Sequence, residues 1–169
     1  VCSSDLVNFC LAGAAVFGIP QFVPPLTEYL EKYRAQVNFN HHLIRVDGEK
    51  RQATFAVETN EEGKRELTLP FDMLHVVPPQ SAPAFISQSG LADGAGWCDV
   101  DKSTLQHKHW PDIFAVGDCC STPNAKTLAA ARKQVVVVAE NVAALIQGAP
   151  LTAHYDGYGS CPLTVEKGK

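Results

Sequence analysis

The most constraining stretch is Ile113-Phe114-Ala115-Val116-Gly117-Asp118-Cys119-Cys120, followed by the loop Ser121-Thr122-Pro123-Asn124-Ala125 and a long Ala-rich segment opened by Lys126-Thr127. Four apolar residues with β-branched members predict a short buried strand, Gly-Asp its sharp end, and the Ala-rich run a helix pointing back at it. A strand end facing a helix N-terminus makes a place for a polar, electron-rich ligand. The helix end offers unpaired amides and a partial positive charge, and Lys126 adds a full charge beside them. Gly117 permits close backbone approach, and Asp118 accepts hydrogen bonds from sugar-like hydroxyls. The same residues also suit a plain turn, a helix cap and a solvated lysine, and by physics alone that account is the commoner one.

Composition narrows the partners. The 169 residues are 46% hydrophobic, enough for a real core, and the net charge of −4 comes with no run of Lys or Arg longer than two. Nothing here suggests a nucleic-acid phosphate backbone as partner. No uncharged apolar stretch reaches the roughly 18 residues of a spanning helix, and the N-terminus has no basic region with a cleavage site, so a soluble chain without signal peptide is expected. The six cysteines include no C-x-x-C pair, which argues against structural zinc and a thioredoxin-type dithiol. No metal ligand set is expected. His107-Lys108-His109 reads as a solvated turn, as does His41-His42, and His75 as a core histidine. Of adjacent Cys119 and Cys120, one is expected to face inward. Val1–Leu6 joins poorly to the strand-like run after it and reads as a non-native scar, set aside from fold reasoning.

Along the chain, Val7–Leu11 predicts a strand, and Gly13 to Gly18 a tight turn. Those glycines have phosphate-loop spacing, but Ile19-Pro20 stands where Lys-Ser/Thr is required. Pro24-Pro25 starts a helix with Leu26, Tyr29, Leu30 and Tyr33 on one face. Runs at Leu43–Val46, Ala53–Val57 and Glu66–Leu69, separated by Asp47-Gly48 and Asn60–Gly63, predict a β-meander. Phe71–Val77 reads as a further buried strand ended by Pro78-Pro79. Residues 80–96 form a crossing segment with one helical turn near Phe85–Gln88. The last helix should run from Lys126 to about Gln147, closed by Gly148, with Val135–Val138 held by packing.

A second constellation is Tyr155-Asp156-Gly157-Tyr158-Gly159-Ser160-Cys161-Pro162-Leu163. Two glycines allow sharp bends and Pro162 fixes the backbone after Cys161, so the thiol is aimed from a loop and suits thiolate chemistry if its pKa falls. A lone loop cysteine is more often an idle small residue, and the residues alone leave both accounts open.

Together these segments resemble sulfide:quinone oxidoreductases, flavoproteins related to the disulfide reductases. The resemblance lies in Phe114–Cys119, Pro123–Thr127, Met73–Pro79, Gly96–Asp101 with Thr104–His107, and above all Tyr155–Leu163. It extends from Val7 to Lys169. It implies an FAD-containing α/β fold, with Gly117 and Asp118 at the ribityl and pyrophosphate region, Lys126 and Thr127 at the pyrimidine edge, and Cys161 as one of two redox cysteines. In such enzymes sulfide opens a disulfide or sulfur-bridged cysteine pair, a persulfide forms, and electrons leave through flavin to quinone.

The chain departs from the family's pattern in having no G-x-G-x-x-G after a strand and no partner cysteine upstream. The expectation is therefore an internal fragment: a partial FAD/NAD(P)-binding Rossmann-like fold with a β-meander, lacking the N-terminal dinucleotide-binding βαβ unit. Residues 7–79 would be part of the second, NADH-domain-like nucleotide fold, and residues 80–169 the returning part of the FAD domain. The fragment alone is expected to be inactive, and the parent to touch the membrane peripherally through segments beyond Lys169. A flavocytochrome-type sulfide dehydrogenase, an NADH:quinone oxidoreductase relative and a non-catalytic scaffold domain are the competing readings.

Overall fold

A computed structural model describes residues 6–59 and 63–168. The scar reading of Val1–Leu6 therefore lies, up to Asp5, outside the described residues, as does the turn chemistry at Asn60, Glu61 and Glu62. The chain divides into two compact units, one of residues up to Val76 together with the segment from Thr164, the other Val77–Leu163.

In the first unit, β1 (Asn8–Cys10) pairs in parallel with β2 (Gln36–Asn38), Phe9 opposite Val37, so that α1 (Val23–Lys32) is the crossover of a βαβ unit. Pro24 and Pro25 fall in the first turn of α1, where their missing amides cost nothing. Arg34, at φ +54°, turns the chain out of the helix. Leu26, Tyr29 and Leu30 are half-buried on the expected face, while Tyr33 is exposed beyond the last turn. The loop carrying Gly13 and Gly18 is open, with nothing within 4 Å of where a Cβ would stand on either.

The meander is present. Antiparallel β3 (His41–Asp47), β4 (Gln52–Thr59) and β5 (Gly63–Pro70) pair in that order, with a bulge between Leu43 and Arg45. Alternation along β4 buries Ala53, Phe55 and Val57 on one face, where Cys10, Leu43, Leu67, Leu69, Phe71 and Leu74 pack against them. The strand expected at Phe71–Val77 does not form. Phe71 and Leu74 reach the meander core, but Met73 and Val77 are 87% and 82% exposed and His75 is on the surface rather than in a core. Phe71 continues from β5 by one bond to Arg51 O, and beyond it no neighbouring strand among the described residues offers a ladder. An apolar run without a partner edge stays irregular.

The second unit is built on α2 (Ala84–Gln88), a set of isolated bridges, and α3 (Leu128–Ile146). Ile113–Val116 is extended but is not a regular strand, which corrects the sequence expectation. It bridges Gln106 only at Phe114, because Leu105, fully buried at φ +62°, bends the facing segment out of register. Gly117–Cys119 then form one 3-10 turn. Helix α3 buries Ala130, Gln134, Val137 and Asn141, a stripe at i, i+4, i+7 and i+11. Of the four valines only Val137 is buried, and Val135 and Val136 face outward. The C-terminus closes as expected: Gly148 at φ +67° donates to Leu145 O, and Ala149 donates to Ala144 O. Cys98, Val100, Leu105, Cys120, Val137 and Tyr155 are among the residues of this unit's core.

Candidate functional site

After α3 the chain reverses and runs back along it. Ala153 is bonded to Asn141, Tyr158 lies beneath Lys133 with its ring centroid 5.8 Å from Nζ, and Gly159 reaches the loop before the helix. A Cβ on Gly159 would stand 3.8 Å from Ala125 O and 4.0 Å from Asn124 Cβ. The fold thus brings the Tyr155–Leu163 segment, well separated in sequence, against the loop that precedes α3.

Each expected residue has a definite place. Gly117 has φ +69°, the left-handed region that favours glycine, and a Cβ there would also touch Ala131 Cβ at 3.7 Å. Asp118 is exposed, and its carboxylate meets no partner among the described residues. Thr127 is the N-cap of α3, its Oγ1 accepting from the Ala130 amide at 3.3 Å. Lys126 does not extend into solvent: Nζ donates to Cys120 O at 2.6 Å and sits 4.3 Å from the Trp97 ring centroid. Its charge is therefore fixed at the start of α3, on the side where Cys120 turns into the loop.

Cys161 is exposed, with Sγ making only a weak contact to Pro162 O at 3.9 Å. Its loop is shaped by Gly157 at φ +82°, by the Tyr158 amide donating to Asp156 Oδ1, and by the Tyr155 hydroxyl donating to Tyr158 O at 2.5 Å. Cys119 is half-buried and Cys120 fully buried, Cys120 Sγ contacting Gly117 O and Thr122 Oγ1; all described cysteines are free. The solvated-turn reading of His107 is corrected. It is 3% exposed, with Nδ1 accepting from the His109 and Trp110 amides and Nε2 therefore the protonated nitrogen, donating to Leu91 O. The two backbone amides aimed at Nδ1 and the bond from Nε2 to Leu91 O fix the orientation of the ring as a structural group. No three His, Cys, Asp or Glu side chains gather as a metal site among the described residues.

Burial, chiefly, pushes the Cys98 thiol up to about 11, with Cys119 and Cys120 nearby adding to the shift. Because the folded value lies above the ordinary one near 9.0, the contribution to stability is complete below pH 9 and is lost as pH rises toward 11. Timed alkylation at about pH 8 with peptide mapping should accordingly label Cys161 quickly and leave Cys98, which is 2% exposed, unlabelled until unfolding. Equal rates at the two sites would contradict this placement.

Sequence reasoning missed the polar residues that assemble the site. Gln134, 1% exposed, accepts from the Gly117 amide at 2.7 Å, and Asn141, 0% exposed, bonds Thr104 O and both backbone groups of Ala153. The available signal was position: both fall on the same stripe of α3 as Ala130 and Val137.

No protein-family model matches the chain. It is 39% identical to the mitochondrial sulfide:quinone oxidoreductase of Mus musculus over 157 residues, 93% of this chain and 34% of that protein. The corresponding enzymes of Dictyostelium discoideum and Schizosaccharomyces pombe are 37% and 36% identical over 96% of this chain and 35% of each relative. Over nearly its whole length the chain is similar to a segment of the sulfide:quinone oxidoreductases. It spans about a third of the length of these sulfide:quinone oxidoreductases. Among solved structures, a chain in the cryo-EM structure of the Tetrahymena thermophila mitochondrial ATP synthase superposes with TM-score 0.77 and 32% identity over 94% of this chain and 37% of that one. An FAD-dependent pyridine nucleotide-disulphide oxidoreductase from Desulfovibrio vulgaris matches with TM-score 0.56 and 23% identity, covering 80% of this chain and 36% of that one. The second match bears on fold alone, and it agrees with the expected partial Rossmann-like α/β architecture of a sulfide:quinone oxidoreductase segment.

Proposed function

We propose that this chain is the part of a flavin-dependent oxidoreductase that oxidises sulfide through redox cysteines and FAD and passes electrons to quinone. The observation carrying this reading is the packing of Gly159 on Asn124 and Ala125, which sets the Cys161 loop against the segment that leads into Lys126–Thr127. The donor set also suits FAD. Asp118 is a free acceptor for ribityl-type hydroxyls, and Asn124 Oδ1 is buried without a partner, an acceptor that the imide N–H of a flavin matches. The N-terminus of α3, with Lys126 fixed beside it, favours a ligand that becomes anionic. Bound here, FAD would supply two-electron acceptance and transfer to quinone.

Cys161 is assigned as one of the two redox sulfurs. Sulfide attack on a disulfide between Cys161 and a second cysteine breaks that S–S bond, forms a new one to the incoming sulfur, and releases the other cysteine as a thiolate holding the electron pair. The second cysteine and the Gly-rich pyrophosphate loop belong, in this reading, to parts of the enzyme outside these 169 residues. So do segments holding the whole enzyme peripherally to a membrane; no helix among the described residues is long and apolar enough to cross one. A full-length counterpart should purify with bound FAD and reduce quinone on addition of sulfide, whereas the 169-residue chain should show no turnover. Robust sulfide-dependent quinone reduction by the short chain would contradict the division of the site.

The Tetrahymena match supports a second reading, in which this fold serves an assembly role. Dispensability of Cys161 in a full-length counterpart would favour it.

A further inference from the structure

We infer that Trp97 is a positioning residue for Lys126, holding its ammonium at the start of α3 without neutralising it, so that the charge stays available to an anionic ligand there. The inference rests on the proposed function for what that ligand is, a flavin that becomes anionic on reduction, and on geometry alone for the positioning. Lys126 is half-buried, and its Nζ lies 4.3 Å from the Trp97 ring centroid and donates to Cys120 O at 2.6 Å. Of the three donors of an ammonium, that bond uses one. No carboxylate among the described residues pairs with Lys126. A cation drawn partly out of water with an aromatic face and a carbonyl, but no counter-ion, keeps capacity for an acceptor from outside.

The fold carries Trp97 on a closed turn. Asp93 Oδ1 accepts from the Ala95 and Trp97 amides at 2.9 and 3.0 Å, the Asp93 amide donates to Trp97 O at 2.7 Å, and Gly96 at φ +89° makes the bend. The next residue, Cys98, bridges Cys120 in parallel, its amide donating to Cys119 O and its carbonyl accepting from the Ser121 amide. In that pattern the Cys120 carbonyl points away from Cys98, and its partner is Lys126 Nζ. One bridge therefore fixes both contacts of the ammonium, since Trp97 directly precedes Cys98 and Cys120 stands opposite Cys98. The side-chain type also matters. A carboxylate at this place would hold the lysine and cancel its charge, whereas an indole face attracts the cation through its quadrupole and carries no net charge. Holding the flexible lysine stem in place beforehand lowers the ordering cost when a ligand arrives.

Trace acetylation of the 169-residue chain with peptide mapping tests the positioning without flavin or turnover. Trp97→Leu should speed modification of Lys126, relative to the exposed Lys102, by about three- to tenfold. Trp97→Phe keeps an aromatic face and should hold the rate within about twofold of wild type. Cys98 should stay protected from alkylation in both variants, which separates loss of the contact from loss of the fold. An unchanged Lys126 rate in Trp97→Leu, or equal acceleration in the two variants, would overturn the positioning. Should Trp97→Leu expose Cys98, Lys126→Met decides. With Trp110→Phe in place Trp97 is the sole tryptophan, and its emission spectrum should change when the ammonium is removed; an unmoved spectrum refutes the contact. In a full-length counterpart the flavin midpoint potential should fall in Trp97→Leu and stay near wild type in Trp97→Phe. The Trp97→Leu/Lys126→Met double variant should fall no further than Lys126→Met alone. An unmoved potential beside faster acetylation would overturn flavin as the ligand at this helix end while leaving the positioning of Lys126 standing.

Discussion

Cys161→Ser in a full-length counterpart is expected to lower sulfide-dependent quinone reduction by on the order of a thousandfold or more, while flavin absorbance stays at the wild-type level. Serine has nearly the same size, and the Cys161 sulfur is exposed, its one polar contact a weak one at 3.9 Å, so the substitution leaves the fold intact. What changes is chemistry: a hydroxyl can neither form the S–S bond nor leave as a stable anion near neutral pH. The loop geometry set by Gly157, the Tyr155–Tyr158 bond and Pro162 is kept, which separates loss of the sulfur from loss of the site. Turnover unchanged by this substitution would exclude the sulfide reading. Loss of flavin together with turnover would assign Cys161 a structural part instead.

Asn141→Leu is expected to destabilise the fold by about 3 kcal/mol, because it leaves three half-buried backbone groups without their side-chain partner at a cost of roughly 1–3 kcal/mol each, partly relieved by solvent and relaxation. Asn141 is 0% exposed; Nδ2 donates to Thr104 O and Ala153 O, each at 3.0 Å, and Oδ1 accepts from Ala153 N at 3.2 Å. It is the residue that pins the returning segment to α3 two positions before Tyr155. A thermal or urea melt checks this, with a fall in Tm of roughly 10 °C expected. Ile146→Ala, on the same helix but 81% exposed, should shift the midpoint by no more than about 0.5 kcal/mol. Equal effects of the two substitutions would show that the bonds of Asn141 contribute little.

The elements legible in the chain are those specified by neighbours in sequence. The period of Leu26, Tyr29 and Leu30, the prolines opening α1, the turn-separated runs of the meander, and the Gly148 close of α3 each depend on contacts within a few residues. The failures share a different cause. Phe71–Val77 and Ile113–Val116 have strand-forming composition, yet a strand exists only when another backbone supplies its hydrogen bonds, and composition does not say whether one does. His75 and His107 exchange places, surface for core, for the same reason.

The constellation Gly117-Asp118 with Lys126-Thr127 is visible in the sequence as a strand end meeting a helix N-terminus, and Cys161 as a thiol on a rigid loop. Local chemistry alone specifies the residue types, the caps and the turns. That the two segments meet depends on the reversal after Gly148, which carries the chain back along α3 until Gly159 meets Ala125. The same packing turns Lys126 onto Cys120 O and Trp97, and it buries Gln134 and Asn141, which in sequence are indistinguishable from solvated polar residues. Burial and hydrogen-bond partnership are properties of non-local neighbours. Only the folded arrangement could assign them.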